Sequence, residues 1–276
     1  MIRKNIAEGR FYPESRDKLE EIFNKIEEKE KDKFNEIDIK KNVIGGVVPH
    51  AGFIYSGYEA YHFFKILELQ NKKYDTVILI NPNHTGYGNE IEVDFNDYWE
   101  SSYGNIEIDK EFSEKLNIAK GIIASKYEHS GEVEIPFLKK YLNSDFKLVN
   151  IIILNQNPKN AKFIAEEIFR VKNILKKEIL IIASSDFSHY VNPKYGKEND
   201  DYVLKKILEF DLNETYNRII ERKVSICGYA PIMTLMEYSK LITKNPKSKI
   251  LRQGHSGEVY PSNEVVDYVS ILFYKE

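Results

Sequence analysis

The sequence predicts an α/β protein, a single three-layer domain over residues 1–276 with a mostly parallel central sheet. Three observations carry this reading. Val43–Val48, Thr76–Ile80, Phe146–Leu154 and Glu178–Ala183 are apolar runs without the polar alternation of a half-wet strand, as expected for strands buried on both faces. Segments of helical period separate them. No repeat, low-complexity stretch or Gly/Ser linker divides the chain, and 276 residues fit one large domain.

The elements follow in order. Residues 15–33 read as a helix, with Leu19, Ile22, Phe23 and Ile26 at helical spacing and Ser15 able to cap the start. Its charged tail reads as a solvated end. Val43–Val48 is a strand ending in Pro49-His50. Residues 56–70 return to helical period, with Tyr58, Tyr61, Phe64 and Leu67 inward. Thr76–Ile80 is a strand ending in Asn81-Pro82-Asn83-His84. Residues 109–117 read as a helix, Gly121–Ser125 as a strand and 134–142 as a short helix. Phe146–Leu154 is a strand, and Asn157-Pro158 opens a helix to about Lys172. Glu178–Ala183 is another buried strand, followed by Ser184-Ser185-Asp186-Phe187-Ser188-His189. Residues 197–222 hold two helices, Gly228–Ile242 one more, and Val265–Tyr274 is the last strand.

Composition narrows the function. Forty basic residues nearly balance 43 acidic ones, so nothing pulls the chain globally toward nucleic acid or an anionic membrane. Cys227 is the only cysteine, which excludes a disulfide scaffold and thiolate-rich metal clusters. Residues 1–8 carry no apolar signal core and no run approaches a spanning helix, so the expected location is cytoplasmic. Lys, Glu and Ile are abundant while Met and Cys are few, an archaeal-like bias shared by thermophiles and low-GC genomes.

The chemistry collects after the strands. Val43–Val48 delivers His50, Thr76–Ile80 delivers Asn83 and His84, and Glu178–Ala183 delivers Asp186 and His189. In open α/β sheets the ligand crevice lies at the carboxyl ends of the strands. Parallel neighbours would therefore gather three of the six histidines and an aspartate at one edge. His129 follows the 121–125 segment. Cys227 precedes a helix start, which lowers a thiol's pKa. His62, among aromatic residues of a helix, reads as packing or surface. His255, in Gln253–Gly257, reads as a flexible-loop residue. Imidazoles with a thiolate or carboxylate suit Fe(II), Cu or Zn rather than oxygen-seeking ions. HExxH, CxxC, GxGxxG, GxxxxGK[ST] and GxSxG are all missing, so topology carries the metal reading.

These residues also resemble a known family. Gly9–Pro13, Pro49-His50-Ala51-Gly52-Phe53-Ile54-Tyr55-Ser56-Gly57, Asn81–His84, Glu128-His129-Ser130, Glu132 with Ile135–Leu138, Ser184–Tyr190 and Ile226-Cys227-Gly228 with Pro231-Ile232 are similar to the Memo family. Archaeal and bacterial members of that family are called AmmeMemoRadiSam system protein B. The resemblance runs from about residue 3 to the C-terminus. It implies a fold like that of class III extradiol dioxygenases, the non-haem iron enzymes that cleave catechol rings. It implies His50, His84 and Cys227 as ligands of iron or copper, with His189 and Asp186 as catalytic residues in the same pocket. His129, Asn83, Tyr55 and Glu132 are expected on its rim or just behind. Cys227 stands where the dioxygenases use a carboxylate, which softens the site. Glu134 stands where some eukaryotic members have histidine.

Three functions follow as expectations. The first is an iron or copper oxidoreductase of unknown substrate, with dioxygen or a small aromatic at its open coordination positions, His189 moving a proton and Asp186 orienting it. The second is a peptide- or phosphopeptide-binding module using the same pocket. The third is a zinc-dependent hydrolase. The resemblance further implies association with an AMMECR1-type domain and a radical SAM protein. No nucleic acid or membrane partner is expected.

Overall fold

The computed structural model describes residues 1–142 and 144–276. In chain order the strands are β1 (Ile2–Arg3), β2 (Asn42–Val48), β3 (Thr76–Pro82), β4 (Ile91–Asp94), β5 (Tyr98–Trp99), β6 (Ile106–Glu107), β7 (Ala119–Gly121), β8 (Lys147–Ile153), β9 (Ile179–Ser184), β10 (His189–Val191), β11 (Lys247–His255) and β12 (Val265–Lys275). The helices are α1 (Arg16–Glu30), α2 (Phe53–Gln70), α3 (Lys110–Lys115), α4 (Ile123–Tyr127), α5 (Glu134–Tyr141), α6 (Pro158–Leu175), α7 (Pro193–Leu208), α8 (Leu212–Arg222) and α9 (Tyr229–Ile242).

Among the described residues one nine-stranded sheet organises the fold, in the order β10-β12-β2-β9-β3-β8-β4-β7 with β11 also on β12. The centre, β2-β9-β3-β8, is parallel. Its margins are antiparallel, where β12 meets β2 and β4 meets β8. The sheet is thus mostly parallel and both faces are covered. Ile78, Ile80, Ile151, Ile181 and Ala183 point to one side and pack with Ile164, Ile168 and Leu235 of α6 and α9. Val77, Leu79, Leu180 and Ile182 point to the other and pack with Phe23, Phe64 and Phe137 of α1, α2 and α5. This two-sided burial explains the unbroken apolar runs, each such side chain contributing about 2 kcal/mol. Gly46 lets α2 sit close: a Cβ there would lie 2.3 Å from the Phe63 ring.

Ser15 caps α1 by accepting from the Lys18 N–H, and Asn157 caps α6 ahead of Pro158. The structure corrects three expectations. Gly121–Ser125 is the end of β7 followed by the start of α4, because the Ala124 N–H is taken by the Glu92 carboxylate at 2.9 Å and the Ser125 hydroxyl by Asp94. His255 closes a nine-residue strand, β11, paired along its length with β12, and does not lie in a loop. The tail of α1 is not simply solvated. Glu30 is buried, with its carboxylate accepting from His62 at 3.0 Å, Lys33 at 2.8 Å and Arg252 at 2.9 Å. That network also places His62 inside the protein.

Candidate metal centre

The site is built where β2, β9 and β3 end side by side. His50 stands two residues beyond β2, His84 two beyond β3, and Asp186 two beyond β9. His50 is buried and held from three directions. Its N–H donates to Asp186 Oδ1 at 2.8 Å, its Nδ1 lies 2.8 Å from Ser184 Oγ, and its Nε2 lies 3.3 Å from Cys227 Sγ. Burial keeps this imidazole neutral, well below its usual pKa, and the histidines 84, 129 and 189 add to the effect.

His84 is oriented by Glu128. The carboxylate accepts from the His84 N–H at 2.5 Å and meets its Nδ1 at 2.9 Å, leaving Nε2 without a hydrogen-bond partner among the described residues. Burial would lower the His84 pKa, but the Glu128 hydrogen bond and charge outweigh it and raise it. With 34 % of its side chain exposed, His84 marks the open side. Glu128 accepts also from the His129 N–H and from the Ser130 N–H and hydroxyl. Burial opposes its ionisation, yet the His84 bond prevails and holds its carboxyl down at about 2. The His129 ring lies tilted against Phe11 with centroids 4.5 Å apart, 5.0 Å from His84 and 5.7 Å from His50.

Cys227 reaches the site from the turn between α8 and α9. Its sulfur accepts from the Asp186 N–H at 3.2 Å. Gly228 is needed for this approach, since a Cβ would lie 2.3 Å from the Ser184 carbonyl. The turn does precede a helix start, but the thiol pKa rises: burial pushes it up, Asp186 adds to that, and the Asp186 N–H resists. The ligand atoms of His50, His84 and Cys227 lie within 4.8 Å of one another, as do those of His84, Glu128 and His129. Glu128 is already engaged by five donors, which suits it to orient the two imidazoles rather than to bind an ion.

His189 lies on β10, at the same edge. Its Nδ1 donates to the Ser225 carbonyl at 2.8 Å and its N–H to Ser225 Oγ. Ser225 therefore orients His189, where sequence reasoning assigned that task to Asp186. Burial pushes Asp186 up to about 6, against the His189 charge and the His50 N–H. Behind this loop, Asp200 accepts from the Ser188 hydroxyl at 2.6 Å, and the Asp267 N–H donates to the Ser188 carbonyl. Burial pushes Asp200 up to about 8; Ser188 resists and the neighbouring Asp267 carboxyl adds to the rise.

The other expected rim residues make the following contacts. Asn83 shapes its own turn, its Oδ1 accepting from Thr85 and Gly86. Glu132 anchors the N-terminal segment through Arg3, the Ile6 and Ala7 N–H groups and Tyr12. Tyr55 lines a separate cavity of about 200 Å³ with Glu59, Arg252 and His255. Glu128, Ser184 and Ser225 were missed as site residues. Only Glu128 carried a signal, an acid beside His129 in a loop.

A family model described as Memo-like protein matches residues 3–272, nearly the whole chain. The chain belongs to the Memo family. A MEMO1 family protein of Methanococcoides burtonii is 36% identical over 276 residues, covering 98% of this chain and 99% of the other. One from Archaeoglobus fulgidus is 35% identical, covering 96% and 97%. One from Sulfolobus acidocaldarius is 37% identical, covering 82% and 81%. The Memo motifs around residues 50, 84, 129, 186 and 227 are thus the loops that meet at one sheet edge. Among the described residues no helix is long and apolar enough to cross a membrane.

Proposed function

We propose that this Memo protein binds one iron or copper ion on His50, His84 and Cys227 and performs redox chemistry on a small aromatic substrate. The supporting observation is the convergence of two imidazoles and one sulfur within 4.8 Å, beside the open flank at His84. This donor set fits soft and borderline ions. Bound there, iron or copper would supply electron-transfer chemistry, whereas zinc, which the same donors accept, would supply only Lewis acidity.

The chain's own residues have separable tasks in this reading. His50 and His84 present Nε2, because Ser184 and Glu128 engage their Nδ1 atoms. His189 carries its proton on Nδ1, so its Nε2 has the lone pair that can accept one from substrate. Asp186 holds the His50 backbone and receives no bond from His189.

Anaerobic purification followed by metal analysis tests the proposal. Wild type is expected to carry close to one iron or copper per chain, and His50→Ala/His84→Ala almost none. Equal, sub-stoichiometric metal in both would refute it. Phosphopeptide binding that survives a strong chelator and Cys227→Ser would favour the binding-module reading instead, for which the three clustered imidazoles are the supporting feature. Bound zinc with esterase turnover would favour a hydrolase.

A further inference from the structure

Behind His50 runs a buried line of polar groups. Ser184 Oγ lies 2.8 Å from His50 Nδ1, 3.0 Å from the Ser130 carbonyl and 3.1 Å from Glu134 Oε1. His50, Ser184, Ser130 and Glu134 are all buried. Glu134 begins α5, and its second oxygen, Oε2, has no hydrogen-bond partner among the described residues.

Counting protons assigns the roles. A serine hydroxyl has one proton to donate and two lone pairs. If His50 is to offer Nε2 to an ion, its Nδ1 carries the proton and donates to Ser184. The Ser130 carbonyl can only accept and is the nearer acceptor, at 3.0 Å against 3.1 Å for Glu134 Oε1, so the Ser184 proton is assigned to it. One lone pair of Ser184 Oγ remains, facing Glu134 Oε1. Only a donor can use it, and a carboxyl that donates is a protonated one. The bare Oε2 points the same way, because a buried ionised carboxylate with an unpaired oxygen is strongly disfavoured. Burial pushes Glu134 well above the usual carboxylate range and the Asp186 charge adds to this; a proton donated by Ser184 would pull the other way, but the Ser130 carbonyl takes it.

We propose that Glu134 is a protonated positioning residue that acts through Ser184 to hold His50 in the tautomer whose Nε2 faces the ion. The role rests on the metal reading above. The protonation of Glu134 stands on the hydrogen-bond count and is measured separately.

Two measurements on the full chain test it. In difference infrared spectra at neutral pH, wild type against Glu134→Gln should show a protonated-carboxyl carbonyl band that disappears in the variant. Loss of carboxylate bands instead overturns the proposal. The second is an anaerobic Co(II) titration, read by thiolate-to-cobalt absorption. The glutamine amide can still donate to Ser184, so Glu134→Gln should bind within about threefold of wild type, while Glu134→Ala and Ser184→Ala should weaken binding by about tenfold or more. Wild-type affinity in Glu134→Ala overturns the positioning role, as does an equal loss in Glu134→Gln and Glu134→Ala. Circular dichroism confirms folding, and Ser184→Ala decides the matter should Glu134→Ala not fold. If wild type binds no Co(II), the metal reading and the positioning role fall together, and the infrared arm still reports whether Glu134 holds a proton.

Discussion

Arg3→Ala should cost the fold more than a residue so near the chain's start ordinarily does. The guanidinium is buried, with 2 % of its side chain exposed against 1 % for its partner Glu132. It donates to Glu132 at 2.6 Å, to the Ser125 carbonyl at 2.8 Å and to the Glu128 carbonyl at 2.7 Å, and it lies 4.2 Å from the centre of the Trp99 ring. Truncation leaves a buried carboxylate and two buried carbonyls short of a donor. Breaking a buried ion pair from one side costs about 3–5 kcal/mol. Glu132 keeps three other donors, Ile6 N–H, Ala7 N–H and Tyr12 hydroxyl, which limits the loss. A net cost of about 4 kcal/mol follows, on the order of 7 °C in Tm at roughly 2.1 cal/mol/K of unfolding entropy per residue. Scanning calorimetry of the metal-free protein at neutral pH reads this. Arg3→Lys should recover less than half, because one ammonium cannot reach three separated acceptors. A drop under about 2 °C for Arg3→Ala would refute the reasoning, since it would equate this pair with an exposed one.

Other outcomes follow from single contacts. Asp200 is raised in the folded state, so its contribution is fully present below the ordinary aspartate pKa and lost as pH rises through about 8; Asp200→Asn should flatten the fall in Tm between about pH 4 and 8, and an unchanged slope would refute the assignment. Glu30 is depressed to about 2: burial opposes ionisation, but His62, Lys33 and Arg252 prevail. Its contribution is present above the ordinary glutamate pKa and lost as pH falls toward 2, so Glu30→Gln should weaken the protein at pH 7 and reduce its further loss in acid, as read by urea unfolding at several pH values. Gly228→Ala places a Cβ 2.3 Å from the Ser184 carbonyl and should cost about 1–3 kcal/mol while moving Cys227 off His50; a thiol-alkylation rate and a Tm both equal to wild type would contradict this.

The layered α/β plan was legible because strands covered on both faces cannot alternate, and Thr76–Ile80 and Glu178–Ala183 do not. Placing His50, His84, Asp186 and His189 at one edge followed from the same strands. What escaped has physical causes. β4 is four residues long and carries Glu92 and Asp94 inward, where they bond Ala124 and Ser125 across the turn into α4. β11 includes Lys247, Lys249, Arg252 and Gln253, three charges and an amide that periodicity assigns to a loop. They are tolerated because Arg252 meets Glu30 and Lys249 meets Asp38, partners more than 200 positions away. Ser184 ends an otherwise apolar strand, and nothing local tells that its hydroxyl faces both His50 and Glu134.

The three candidate donors are not mounted alike. His50 and His84 ride on sheet ends, their backbones tied to Asp186 and Glu128, so neither can move without disturbing β2 or β3. The sulfur is carried by the turn between α8 and α9, outside the sheet, and the turn meets the edge through hydrogen bonds from the Asp186 N–H to the sulfur, from the Cys227 N–H to the Asp186 carbonyl, from the Gly228 N–H to Ser185 Oγ and from the Gln156 amide to the Cys227 carbonyl. The third donor is therefore the exchangeable part of the site. A different residue type on that turn would change the hardness of the whole donor set while the imidazole pair stayed where it is. In the proposed site, selectivity among ions would be set by the residue type at position 227, on a turn anchored by the buried side chains of Val224 and Ile226.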